Sequence, residues 1–163
     1  MKKLFLIRHA KSSWEDPSLR DFDRPLNNRG KRDAPLMGEV LQRNGIVADK
    51  IISSPANRAY TTAGVFAQKT NYAASIEKDE RIYGADVQSM IGIINEVPEH
   101  INSLFVFGHN PTFTYLAEYL ADISIGNLPT TGVVGIEFEM ESWAMISRGT
   151  GHCFLYDYPK NHK

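Results

Sequence analysis

Three short runs of apolar residues punctuate the first two thirds of the chain: Lys3 to Ile7, Lys50-Ile51-Ile52-Ser53 and Leu104-Phe105-Val106-Phe107. Each stops abruptly at small or polar residues, Arg8-His9 after the first, Ser54-Pro55 after the second and Gly108-His109-Asn110-Pro111 after the third. Apolar runs of this length, without polar alternation, predict strands buried on both faces of a parallel sheet. Between them the apolar positions change period. Ala63, Phe66 and Ala67 form one helical stripe, and Phe113, Leu116, Ala117 and Leu120 another at i, i+3, i+4 and i+7. A further helix is predicted over Asn28 to Gln42, carrying Met37 and Leu41 and stopping at Asn44-Gly45. Pro35 requires it to begin near Asp33 or to bend there, because proline has no N–H to give the preceding turn. Val133 to Phe138 and Cys153 to Tyr158, rich in β-branched and aromatic residues, predict two more strands, joined as a hairpin through Ser142 to Thr150. Strands alternating with helices predict a three-layer α/β sandwich with helices on both faces of a mostly parallel sheet.

Composition narrows the function classes. The chain has 163 residues, 42% hydrophobic, with no repeat or linker-like stretch, and so predicts one domain over residues 1–163. Eighteen Lys and Arg oppose 19 Asp and Glu, a net charge of −1, so bulk charge argues for no nucleic acid and no membrane surface as partner. The run after Met1-Lys2-Lys3 is too short for a signal segment or a membrane span, and the lone Cys153 suits a reducing compartment; the expected location is cytoplasmic. His100, His152 and His162 lack metal-ligand spacing, and no glycine-rich nucleotide-binding run occurs, so no metal and no cofactor is expected.

In open α/β sheets ligands sit beyond the carboxyl ends of the strands. Applied here, that rule collects Arg8, His9, Arg58 and His109 at three strand ends. Two arginines and two histidines suit a phosphoryl group. Guanidinium forks grip its oxygens bidentately, one histidine attacks phosphorus while neutral, and the other serves best as a cation facing the transferred charge. The attacking ring needs an acceptor on its other nitrogen, for which a backbone carbonyl of the following loop is the natural choice. Lys11 and Ser12 read either as auxiliary phosphate neighbours or as solvated loop residues, Trp14 as packing for its loop, and Arg20 to Leu26, with its mixed charges, as a solvated connection.

Arg8-His9-Ala10-Lys11-Ser12-Ser13-Trp14, Ser53-Ser54-Pro55-Ala56-Asn57-Arg58-Ala59-Tyr60-Thr61-Thr62-Ala63 and Phe107-Gly108-His109-Asn110-Pro111 together resemble the histidine phosphatase superfamily, and most closely its short SixA-type branch of protein-phosphohistidine phosphatases. An Arg-His pair alone is weak evidence; three motifs in order, each at a predicted strand end, are not. The resemblance implies a phosphoglycerate mutase-like fold and a hydrolase that needs no metal. It also implies His9 as nucleophile and transient phosphohistidine, with Arg8, Arg58 and His109 completing the phosphate pocket. Larger members carry a glutamate as proton donor where this chain has Asp79-Glu80-Arg81-Ile82-Tyr83-Gly84-Ala85, with Tyr83 standing at that place. Glu15, Asp16, Glu80 and Asp86 remain candidate acids. A phosphoramidate tolerates the missing acid, since its ring nitrogen can be protonated before it leaves. The short spacing from Arg58 to His109 leaves little room for a covering insertion, so an open, shallow pocket is expected. The implied substrate is phosphohistidine in a protein, such as a phosphotransfer domain. The alternatives are a small-molecule phosphomonoesterase or mutase, and a non-catalytic phosphohistidine-binding module.

Overall fold

The computed structural model describes residues 1–163. Six strands form one sheet: β1 Lys2–Arg8, β2 Lys50–Ser53, β3 Glu77–Lys78, β4 Ser103–Gly108, β5 Val133–Phe138 and β6 His152–Asp157, in the order β3-β2-β4-β1-β5-β6. The pairs β3–β2, β2–β4 and β4–β1 are parallel, whereas β1–β5 and β5–β6 are antiparallel. Four helices cover the sheet: α1 Asn28–Arg43, α2 Asn57–Lys69, α3 Val87–Asn95 and α4 Thr112–Ala121. No helix is long and apolar enough to cross a membrane.

The unbroken apolar runs have the cause expected of them. Successive side chains of a strand point to opposite faces, and both faces of β1 and β4 are covered. Leu4, Leu6, Leu104 and Val106 pack with α3 and α4, while Phe5, Ile7, Phe105 and Phe107 pack with α1 and α2. All eight are at most 2% exposed, each burial worth about 1.5–3 kcal/mol before entropy is counted. The helical stripes also face inward: Ala63, Phe66 and Ala67 lie in one core layer, and Phe113, Leu116, Ala117 and Leu120 in the other. At the antiparallel edge β6 alternates exposed and half-buried residues, because only one partner strand covers it.

Pro35 did not set the start of α1. The helix begins at Asn28, where the Asn27 side chain caps it by accepting the Gly30 N–H at 2.9 Å, and Pro35 lies within it. That N-cap secures a first turn ahead of the proline. Gly30 also lets α1 approach the loop after β1, since a Cβ there would stand 2.2 Å from the Lys11 carbonyl oxygen.

Candidate functional site

Register brings the site together. Arg8 at the end of β1 is paired with Gly108 at the end of β4, and the His9 N–H donates to the Gly108 carbonyl at 3.1 Å. The two histidines that follow these strand ends stand with ring centroids 5.3 Å apart. Gly108 has no room for a side chain, because a Cβ would meet the Phe113 ring at 2.4 Å. β2 lies on the other side of β4, and its exit loop leads into α2 with Arg58 in the first turn, only 7% exposed. The structure therefore gathers Arg8, His9, Arg58 and His109 at neighbouring parallel strand ends.

His9 is held by the backbone. Its Nδ1–H donates to the Ala10 carbonyl at 2.8 Å, an acceptor that fixes the tautomer and leaves the Nε2 lone pair free. The Ala10 N–H donates to Thr62 Oγ1, which in turn donates to the Arg58 carbonyl, so the loop after β1 is tied to the α2 turn that carries the second arginine. From the other side the Thr131 N–H reaches the carbonyls of both Arg8 and His9 at 3.1 Å. Thr131 does so at φ 61°, a strained backbone for a β-branched residue, and fully buried.

Burial pushes the His9 imidazole down to about 3, with the charges of His109, Arg58 and Arg8 acting the same way against the backbone hydrogen bond. His109 is pushed down to about 4, again first by burial and then by Arg58, with Asp21 opposing. Both rings are therefore neutral near pH 7. Asp21 and an arriving anion both act toward the protonated form of His109. His109 Nε2 lies 2.8 Å from the Ser54 hydroxyl, whose oxygen also accepts the Ala56 N–H. His109 Nδ1 and Arg8 Nε are buried without partners. An oxyanion, which carries only acceptors, suits both. Arg8 meanwhile donates through Nη1 to the Leu128 carbonyl at 2.9 Å.

The stretch Arg20 to Leu26 is not a solvated connection. Its 3₁₀ turn, Asp21–Asp23, reaches the site and engages Arg58: Nη1 donates to the Asp21 carbonyl oxygen at 2.7 Å and Nη2 to Asp21 Oδ2 at 2.9 Å. Tyr83 donates its hydroxyl to the same Oδ2 at 2.7 Å and stands edge-on to His109, 5.6 Å between centroids. Phe22 braces Tyr83 edge-to-face. Arg24, 6% exposed, joins Asp21 Oδ1, Ser12 Oγ and the Ser13 carbonyl. Ser12 is thus turned toward Arg24, and Lys11 is exposed. Trp14 covers the Arg24 guanidinium with one face, 3.2 Å to the ring centroid, yet is 72% exposed and packs down little of its own loop. The pocket is accordingly less open than expected: His9 is only 9% exposed, and the Asp21 turn and Tyr83 lie along its rim.

The carboxylates named as candidate acids are occupied or remote. Asp86 caps α3 by accepting the Ser89 N–H, which draws its pKa down, and Asp16 binds Ser18 in an exposed loop with the same effect. Glu15 and Glu80 form no hydrogen bond with either site histidine and are exposed. Ser54, Thr62, Thr131 and Asp21 escaped the sequence reading. Ser54 and Thr62 had a usable signal, since both lie within the second motif; Asp21 and Thr131 had none. No group of three or more His, Cys, Asp or Glu side chains is placed to hold a metal ion.

Comparison with known proteins agrees with this arrangement. The uncharacterized protein Rv1276c of Mycobacterium tuberculosis is 36% identical over 146 residues, covering 90% of this chain and 89% of its own. The protein histidine phosphatase SixA, solved with tungstate, superposes with a TM-score of 0.85 over 99% of both chains at 21% identity. An Agrobacterium tumefaciens protein provisionally assigned as phosphohistidine phosphatase SixA gives 0.81 at 25% identity, over 97% of this chain and 98% of its own. The family model for branch 1 of the histidine phosphatase superfamily matches residues 4–112, a span that contains all three strand-end motifs. The chain belongs to the histidine phosphatase superfamily.

Proposed function

We propose that the protein is a metal-independent phosphohistidine phosphatase that acts on phosphorylated histidine in a partner protein, such as a phosphotransfer domain. The observation that carries this reading is His9, whose Nδ1–H is committed to the Ala10 carbonyl while its free Nε2 sits among Arg8, Arg58 and His109. In the first step Nε2 attacks phosphorus in line and the bond to the leaving group breaks; in the second, water attacks the phosphohistidine so formed and releases inorganic phosphate. Arg8 and Arg58 hold the phosphoryl oxygens, and His109 donates to one of them, becoming cationic as negative charge arrives. A neutral nucleophile needs no base to activate it, and burial keeps His9 neutral.

The reading of the substrate as a phosphoramidate is supported by the absence of a free carboxylic acid at the pocket. Asp21, the carboxylate nearest the arginines, is held well below the usual carboxylate range by Tyr83 and Arg58 and so donates no proton. The hydrogen bond to Asp21, and then burial, push the Tyr83 hydroxyl above its ordinary value. A phosphomonoester with a poor alkoxide leaving group has no such donor here.

The test mixes wild type and His9→Ala with a phosphohistidine-carrying protein and follows phosphate on both partners by rapid mass analysis under non-acidic denaturing conditions. Expected are loss of phosphate from the partner and a transient adduct on wild type, with neither in the variant. A partner that keeps its phosphate, while sugar phosphates are turned over, returns the assignment to a small-molecule phosphomonoesterase or mutase. A partner retained but never dephosphorylated points to a binding module.

A further inference from the structure

We propose that Asp21 is a specificity-determining residue: a fixed carboxylate beside Arg58 that accepts the free ring N–H of a phosphoimidazolium group and disfavours substrates whose leaving group carries a carboxylate. The proposal rests on the phosphohistidine reading and deepens it.

The carboxylate cannot swing away, because its donors come from three directions. Oδ2 takes Arg58 Nη2 at 2.9 Å and the Tyr83 hydroxyl at 2.7 Å, and Oδ1 takes Arg24 Nη1 at 2.9 Å. The Asp21 backbone carbonyl is gripped by Arg58 Nη1, and Arg24 is itself pinned by Ser12 and Ser13 beneath Trp14. Its side chain is nevertheless 46% exposed, so the negative charge is open to solvent beside Arg58. It lies one guanidinium away from wherever Arg58 holds a phosphoryl group, and close enough to His109 to raise its basicity. Most of the carboxylate's lone-pair sites are filled, with one left on Oδ1.

A phosphorylated imidazole keeps a second ring nitrogen, which makes the leaving group a cation when protonated. As His9 Nε2 forms its bond to phosphorus, the P–N electron pair returns to the departing ring, and the far N–H proton stays in place, so that neutral imidazole leaves. Asp21 accepts a hydrogen bond from that far N–H and takes no proton. Relative to free enzyme and substrate, Asp21 favours the ring-protonated phosphoimidazolium, the form from which neutral imidazole can leave, and so raises kcat/KM. A leaving group such as the glycerate of 3-phosphoglycerate carries a carboxylate, and a fixed like charge beside it is repulsive. The same side chain thus favours one class and disfavours the other.

The test compares kcat/KM of wild type, Asp21→Asn and Tyr83→Phe on three probes: phosphoimidazole, an aryl phosphate whose aryl group carries no charge, and 3-phosphoglycerate. The aryl phosphate reads any loss shared by all substrates through a loosened Arg58, and tungstate binding to each variant verifies that the pocket is intact. Asp21→Asn is expected to lower the ratio of phosphoimidazole to 3-phosphoglycerate about tenfold or more, with the aryl phosphate in between. Tyr83→Phe keeps the charge and is expected to leave that ratio within about twofold. Equal changes on all three probes in Asp21→Asn would make Asp21 a positioning residue for Arg58 only. A rise on all three would make it a competitor for Arg58, and a matching shift in Tyr83→Phe would remove charge as the cause; each outcome overturns the proposal. Wild type that turns over monoesters but neither phosphoimidazole nor a phosphohistidine protein overturns the functional reading itself, and this inference with it.

Discussion

The loops after β1 and β4 each present a histidine at the end of a parallel strand, His9 buried and His109 half-buried, and they hold it differently. His9 leans on a backbone carbonyl one residue away, so its tautomer is a property of the chain and needs nothing else to be in place. His109 leans on a side-chain hydroxyl from a third strand end, and its other nitrogen has no partner. On the mechanism we propose, His9 would be ready before substrate arrives, whereas His109 would become ready only with the anion.

Removing the ready partner should do the most damage. His9→Ala is expected to lower turnover by about 10⁴-fold or more and to abolish the phosphoryl adduct, the scale set by losing a covalent nucleophile; substantial residual turnover would refute the assignment. His109→Ala should cost less, about 10²–10³-fold, as for the loss of one preorganised donor to an oxyanion. The adduct should still form slowly there, which burst kinetics can read.

Protonation separates the loops further. Both histidines have folded-state values, about 3 and about 4, below the ordinary 6.5. The unfolded chain binds more protons between those limits, so their contribution to stability is full above pH 6.5 and is lost as pH falls toward 4 and then 3. Denaturant midpoints should drop from pH 7 to pH 5, and the drop should be smaller in His9→Ala and His109→Ala; an equal drop in all three proteins would remove the histidines as its cause. The mildest perturbation is Ser54→Ala, which takes the hydroxyl from His109 Nε2 and leaves His9 untouched. The loss of one hydrogen bond, about 1 kcal/mol, corresponds to roughly fivefold in kcat/KM. An effect as large as that of His109→Ala would mean that the two loops are not separable.

What could be read ahead of the structure followed the physics of periodicity. The double burial of β1 and β4 is written as unbroken apolar residues, and the strand-end rule then placed two histidines and two arginines together from positions far apart in sequence. The Ala10 carbonyl was also foreseeable in kind, since a buried imidazole in a loop needs a local acceptor. Asp21 was not. Its contacts with Arg58 and Tyr83 span 37 and 62 residues and belong to a single 3₁₀ turn, too short for any period to announce. Arg20 to Leu26 looked solvated because its charges alternate, yet alternate charges also describe a chain that carries its own counterions, as Asp21 does between Arg24 and Arg58. Thr131 was hidden for a further reason: its role depends on a positive φ, which threonine as a residue type argues against. Of the two options Pro35 left, a start near Asp33 is set aside by the Asn27 cap.

β1 pairs only with β4 and β5, both made late in the chain. During synthesis the first strand to emerge, with His9 already at its tip, has both edges bare until residues 103–108 arrive to seat beside it. No shortened product ending before β4 can contain a phosphate pocket, however well its helices form. Folding must close a loop of that length before the sheet centre exists, so the interval between translation of β1 and of β4 is when the chain is most exposed to wrong edge pairing.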